Sequence, residues 1–202
     1  MLKNRGIAIY YTKDGQKKIF DLITALKRET PFLLGHNEAY QIATALIEIE
    51  KIEGAIGEVG VYEGGSGLLM NHIAPHRTIH LFDTFEGLPQ DSEIVEGFKK
   101  GQYAAVYERV ATRFAAYPNV HLHRGIFPKT AKSLEAERFA FVHLDTDLYR
   151  STLDGLKFFY PRLAQGGIII SHDYVSGKEI RQAFDEFFAD GHSGPAHHDG
   201  RN

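Results

Sequence analysis

Three carboxylates and an imidazole each follow a short apolar run in this chain. IHLF precedes Asp83, FAFVHL precedes Asp145, and IIIS precedes His172 and Asp173. Two carboxylates beside an imidazole can hold a divalent ion. Oxygen ligands suit Mg²⁺, and an imidazole draws the preference toward Mn²⁺, Fe²⁺ or Zn²⁺. Such a group can also take a proton from a hydroxyl as a general base, for which His143, His172 and Asp147 are the candidates. Each has a plain structural alternative. His143 can face packed helices, Asp147 can open the helix that follows, and the Asp145, His172 and Asp173 cluster can be turn-capping side chains.

A second constellation is IGEVGVYEGGSGLLMN, residues 56–71. An apolar strand turns through Gly60, Gly64, Gly65 and Gly67 into a potential helix. Glycine has no Cβ to block a ligand from the backbone, and the following helix points unpaired N–H groups at the turn. Glu58 stands two positions before the first glycine. The spacing reads E-x-G-x-x-x-G-G-S, a nucleotide-cofactor turn without the dinucleotide fingerprint G-x-G-x-x-G. That argues against a nicotinamide-binding oxidoreductase. Asp83 lies 18 residues past Gly65, where a carboxylate can accept ribose hydroxyls or simply form a turn.

Alternating elements must position these groups. Apolar spacing predicts helices over 19–27, 37–51 (capped by Asn37), 68–73, 103–117, 151–160 and 180–188. It predicts strands over 56–61, 78–82, 120–124, 139–144 and 168–170, with VHLHR reading as an edge strand and FAFVHL as a central one. Strand–helix alternation implies a parallel sheet covered on both faces. In such a sheet ligands bind beyond the carboxyl ends of the strands, where the aspartates and His172 fall. Residues 85–102 form a polar loop, either a lid or a plain surface loop. The domain reading is an N-terminal arm and short helix at 1–36, a cofactor-binding domain at 37–190 and a mobile tail at 191–202.

The 202 residues carry a net charge of −3, show no basic stripe and contain no cysteine. This excludes a polyanion-binding surface, disulfides and thiolate chemistry. No apolar run reaches the length of a membrane span, and the N-terminus lacks a signal-peptide core. A cytoplasmic protein with no nucleic-acid or membrane partner is expected.

Five linked motifs carry a family resemblance: EVGVYEGGS, LFDTFEGLP, HRGIFPKT, HLDTDLYRSTL and GGIIISHDY. Across residues 54–188 the chain resembles the macrocin-type O-methyltransferases, S-adenosylmethionine-dependent enzymes that methylate sugar hydroxyls. The resemblance implies a three-layer α/β/α class I methyltransferase fold with strand order 3-2-1-4-5. It implies that Glu58, Gly60, Gly64, Gly65 and Ser66 line the methionine end of the cofactor. Asp83 would bind its ribose, and Gly125, Ile126 and Phe127 would lie near its adenine. Asp145, His172 and Asp173 would hold a divalent ion, Mg²⁺ or else Mn²⁺, which polarises the acceptor oxygen. The family pattern has Asp-Asp where this chain has His172-Asp173, and Gly where it has Thr146. It also closes with a C-terminal hairpin, which is expected to be absent or shortened here, so a dimer is expected to cover that edge. The acceptor is expected to be a hydroxylated small molecule, a sugar above all. A cofactor-binding domain that acts as a partner or regulator without turnover is the other reading.

Overall fold

The computed structural model describes residues 14–92 and 97–189. The readings made for residues 1–13, the tail at 191–202 and the closing hairpin lie outside the described residues, as does part of the loop at 85–102. The element order is α1 (Asp14–Glu29), α2 (His36–Glu48), β1 (Ala55–Val59), α3 (Gly65–Ile73), β2 (Ile79–Asp83), α4 (Tyr107–Phe114), β3 (Val120–Arg124), β4 (Phe139–Leu144), α5 (Tyr149–Phe159), β5 (Leu163–Ser171) and α6 (Lys178–Ala189).

The five strands form one sheet in the order β3-β2-β1-β4-β5, and every neighbouring pair is parallel. Side chains alternate across a strand, and the core divides accordingly. Ile56, Ile79, Leu81 and Phe141 face a layer containing Ile23, Ile42, Leu46, Leu69, Val110 and Phe114 from α1 to α4. Val59, Phe82, Phe139 and Leu144 face Leu153, Leu156, Phe159 and Phe187 from α5 and α6. On the second face the Phe127 and Phe159 rings stack 5.3 Å apart, with Phe139 edge-on to Phe159 at 4.9 Å. Gly57 makes room for that cluster: a Cβ there would lie 2.7 Å from the Phe159 ring.

Several boundaries differ from the sequence expectation. α1 begins at Asp14 and packs Ile23 and Leu26 into the core; it ends at Thr30-Pro31, where proline disfavours helix in the residue before it. Gly35, not Asn37, precedes α2, and the Glu38 carboxylate accepts the Gly35 N–H at 2.5 Å. α4 starts at Tyr107 because Val106 is extended and 48% exposed. α5 starts at Tyr149, ahead of Ser151 and Thr152. β5 runs from Leu163 straight through Gly166-Gly167. Its register against β4 jumps from Leu163↔Phe139 to Ile168↔Phe141, a bulge that Gly166 accommodates at φ +81°.

Candidate active site

Backbone pairing continues past the strands and lines up their carboxyl ends. Gly125 N–H donates to Asp83 O at 2.9 Å, Gly60 N–H to Phe82 O at 3.0 Å, Asp145 N–H to Val59 O at 2.9 Å and His172 N–H to Leu144 O at 2.8 Å. One cleft opens along this edge. Its walls include Gly60, Asp83, Gly125, Ile126, Phe127, Asp145, Asp147, His172 and Asp173. Leu33, Tyr62, Leu88, Pro89 and Tyr103, none of them expected from the sequence as site residues, also line it. Leu88 and Pro89 stood within the motif LFDTFEGLP and were readable there; Leu33 and Tyr103 carry no local signal.

Glu58, Gly64, Gly65, Ser66 and His143 are not among the residues lining the cleft. The missing Cβ atoms of the glycine turn leave room for close packing. A Cβ on Gly60 would lie 1.8 Å from the Asp145 carbonyl oxygen. One on Gly64 would meet the Phe114 ring at 2.7 Å, and one on Gly65 the Phe32 ring at 2.6 Å. Ser66 is buried in the first turn of α3, and Glu58 and His143 are buried inside the sheet. The His143 Nδ1 and Glu58 Oε1 are 2.9 Å apart. Burial pushes the Glu58 carboxyl above its ordinary range, while hydrogen bonding from His143 opposes the shift. His143 is therefore not brought into the cleft as a base.

Asp83 organises the turn as well as facing the cleft. Its Oδ2 accepts the Val61 and Tyr62 N–H groups at 2.7 and 2.8 Å, and its Oδ1 accepts that of Phe85 at 2.7 Å. A carboxylate has about four acceptor positions, so one remains for a ligand hydroxyl. Beside it the apolar surfaces of Ile126, Phe127 and Leu88 suit a flat heterocycle. These residues fit the nucleoside part of S-adenosylmethionine.

Asp147 sits in a left-handed turn at φ +59°. The Leu148 N–H reaches back to Thr146 O at 2.7 Å, and the Thr146 and Thr152 hydroxyls are 2.7 Å apart. Thr146, where the family resemblance implied Gly, thus anchors the turn. Burial raises the Asp147 carboxyl to about 7, and the nearby Asp145 and Asp173 charges add to the rise. Glu179 of α6 braces this region from behind: its carboxylate accepts the Tyr149 N–H at 2.6 Å and the Ser92 hydroxyl.

The expected metal ligands do meet. His172 Nδ1 lies 3.2 Å from Asp145 Oδ1 and 3.0 Å from Asp173 Oδ2, while its Nε2 lies 3.3 Å from Glu38 Oε1. Both ring nitrogens face carboxylates, and Nδ1 is buried without a hydrogen-bond partner. Among the described residues no group of three or more His, Cys, Asp or Glu side chains could hold a metal ion. The Asp145 carboxylate holds the His172 ring up at about 9, the nearby charges of Asp173 and Glu38 assist, and burial opposes the rise. Imidazolium is the form that this surrounding favours.

A parallel sheet in this order, with its polar groups gathered at one end, defines the class I methyltransferase fold. The model of the family described as Macrocin-O-methyltransferase (TylF) matches residues 34–193, and the chain belongs to that family. It is 33% identical over 156 residues to the 8-demethyl-8-(2,3-dimethoxy-alpha-L-rhamnosyl)-tetracenomycin-C 4'-O-methyltransferase of Streptomyces olivaceus, covering 69% of this chain. It is 29% identical over 157 residues to the demethyldecarbamoylnovobiocin O-methyltransferase of Streptomyces niveus, covering 68% of this chain. The match spans 59% of the length of each of these two relatives. The solved O-methyltransferase NovP superposes with a TM-score of 0.72 at 22% identity, over 87% of this chain and 90% of that one. Among the described residues no helix is long and apolar enough to cross a membrane.

Proposed function

We propose that this chain transfers a methyl group from S-adenosylmethionine to a hydroxyl of a sugar or sugar-bearing small molecule. Family membership supports the reaction class, and one observation carries the mechanism: Asp147, raised to about 7, stands at the cleft beside the shared strand ends. A base with that value is poised to accept a hydroxyl proton near neutral pH.

The cofactor, when bound, supplies an electrophilic methyl carbon. Asp83 would accept a ribose hydroxyl, Ile126 and Phe127 would flank the base, and Gly60 would allow close approach at the end of β1. The chain's remaining task is to orient the acceptor oxygen and remove its proton. Asp147 performs that removal, and alignment within the cleft lowers the barrier further. Residues 34–189 supply this machinery. Leu33, Leu88, Pro89 and Tyr103, which line the cleft, would help to select the acceptor, and a dimer is the expected assembly.

The test is calorimetric titration with S-adenosylmethionine, followed by mass spectrometry of a panel of hydroxylated glycosides. Cofactor binding and a methylated product are expected. Asp147→Asn should lower kcat about 10²-fold or more while leaving cofactor binding nearly unchanged. Cofactor binding with no methylated product across the panel would instead favour a regulatory binding domain.

A further inference from the structure

Among the described residues, the non-glycine positions with a left-handed backbone are Tyr62, Phe85, Tyr103, Asp147 and Asp173. All but Phe85 line the cleft. Four of them have a local cause. The Asp83 carboxylate accepts the N–H groups of Tyr62 and Phe85, and aspartate enters this region more readily than most residues. Tyr103 has neither, and φ +60° is strained for a bulky side chain. Its flanks hold it there. Gln102 O accepts the Leu88 N–H at 2.8 Å, and the Ala105 N–H donates to Phe85 O at 3.1 Å. Gly87 lets the two segments touch, since a Cβ there would lie 2.4 Å from Gln102 O. Strain that the surroundings enforce in this way collects where a ligand is held. The side chain itself gains nothing that offsets it. Tyr103 is 44% exposed, and among the described residues its ring stacks on no other ring and its hydroxyl has no hydrogen-bond partner. Burial, and after it the charges of Asp147, Asp145 and Asp173, push the phenol above its ordinary value. The ring therefore belongs to the carboxylate end of the cleft, not to the Asp83 end.

We propose that Tyr103 is the specificity-determining platform for the acceptor. Its ring packs on the C–H face of a pyranose whose hydroxyl is presented to Asp147, and its own hydroxyl donates to a neighbouring sugar oxygen. This rests on the O-methyltransferase reading. A pyranose matches such a platform because it combines an apolar face with a rim of oxygens. An aromatic ring offers a broad apolar face and, in tyrosine, a polar tip beside it. It does so with only two torsions to fix, so little freedom is lost on binding. The phenol donates one hydrogen bond, and the sugar rim supplies the acceptor that the protein does not. Tyr103 takes no part in holding the cofactor, and no proton passes through it.

Phenyl and cyclohexyl rhamnoside are the probes, since both present a 6-deoxypyranose and only one carries an aromatic aglycone. Mass spectrometry gives kcat and KM, and calorimetry gives binding to the full chain saturated with S-adenosylhomocysteine. Tyr103→Gly should raise KM for both glycosides by about tenfold or more and leave S-adenosylmethionine affinity within about twofold. It should also melt no lower than wild type, because glycine takes this φ without strain. Tyr103→Phe keeps the ring and should raise KM about threefold. An unchanged KM in Tyr103→Gly would overturn the proposal. So would a fall in melting temperature or cofactor affinity alongside the rise in KM, which would mark Tyr103 as structural. A loss confined to the phenyl glycoside would place the ring against the aglycone and overturn it as well, as would wild type that binds neither probe. If Tyr103→Gly does not fold, Tyr103→Asn, which also tolerates this φ, is held to the same rise in KM. If both probes bind and neither is methylated, the O-methyltransferase reading fails, and the binding comparison of wild type with the variants still judges Tyr103.

Discussion

Asp83 holds three backbone N–H groups at 2.7 to 2.8 Å, so its replacement acts on folding before it acts on ligand. Asp83→Ala strands those donors and should cost about 2–4 kcal/mol in urea unfolding, with weaker cofactor binding as well. His80 gives a second residue-scale prediction. It is buried in the sheet, with Nδ1 3.0 Å from His123 Nε2. Burial first, then His123 and His121, hold it down to about 4. The unfolded chain, with histidine at its ordinary value, binds the proton more readily. Stability is therefore full above about pH 6.5, falls as pH drops below that, and levels off below about 4, a loss of ~3 kcal/mol. His80→Leu should flatten that part of the pH dependence in urea titrations compared with wild type. The glycines show what the sequence withheld at this scale. It marks where a side chain is missing but not what fills the space: the Phe114 and Phe32 rings and the Asp145 carbonyl stand where Cβ atoms of Gly64, Gly65 and Gly60 would lie.

Strands β3 and β4 begin and end where their patterns said they would, because VHLHR alternates as a sheet edge does and FAFVHL is apolar throughout, as two covered faces require. α4 and β5 were less legible. Val106 fits a helical stripe by spacing, but Ala105 N–H pairs with Phe85 O at 3.1 Å and keeps the approach extended. Gly166-Gly167 reads as a turn, yet the neighbouring β4 ladder absorbs it as a bulge. The convergence of β1 and β4 yields a sharp prediction. Gly60→Ala forces a Cβ into the Asp145 carbonyl at a left-handed φ of +92° and should cost about 4 kcal/mol or abolish soluble folding. Gly15→Ala in α1 meets open space and should stabilise by up to about 1 kcal/mol. Thermal melts of the two variants check both.

Over the whole molecule, four aspartates and no lysine or arginine line the cleft among the described residues. A phosphate-bearing acceptor would meet repulsion there, so a neutral glycoside should show the higher kcat/KM than its phosphorylated counterpart, by a margin that narrows as salt rises. The sheet order was legible through five ordered motifs, whereas the two-sided confinement of His172 was not, because Glu38 comes from a helix more than a hundred residues earlier in the chain. Glu179 links three distant parts in a comparable way. One buried carboxylate fastens Ser92 of the polar loop and the first N–H of α5, two residues past Asp147. The seating of Ser92 and that of Asp147 thereby share a fulcrum, so a ligand that shifts Ser92 would also adjust the Asp147 turn.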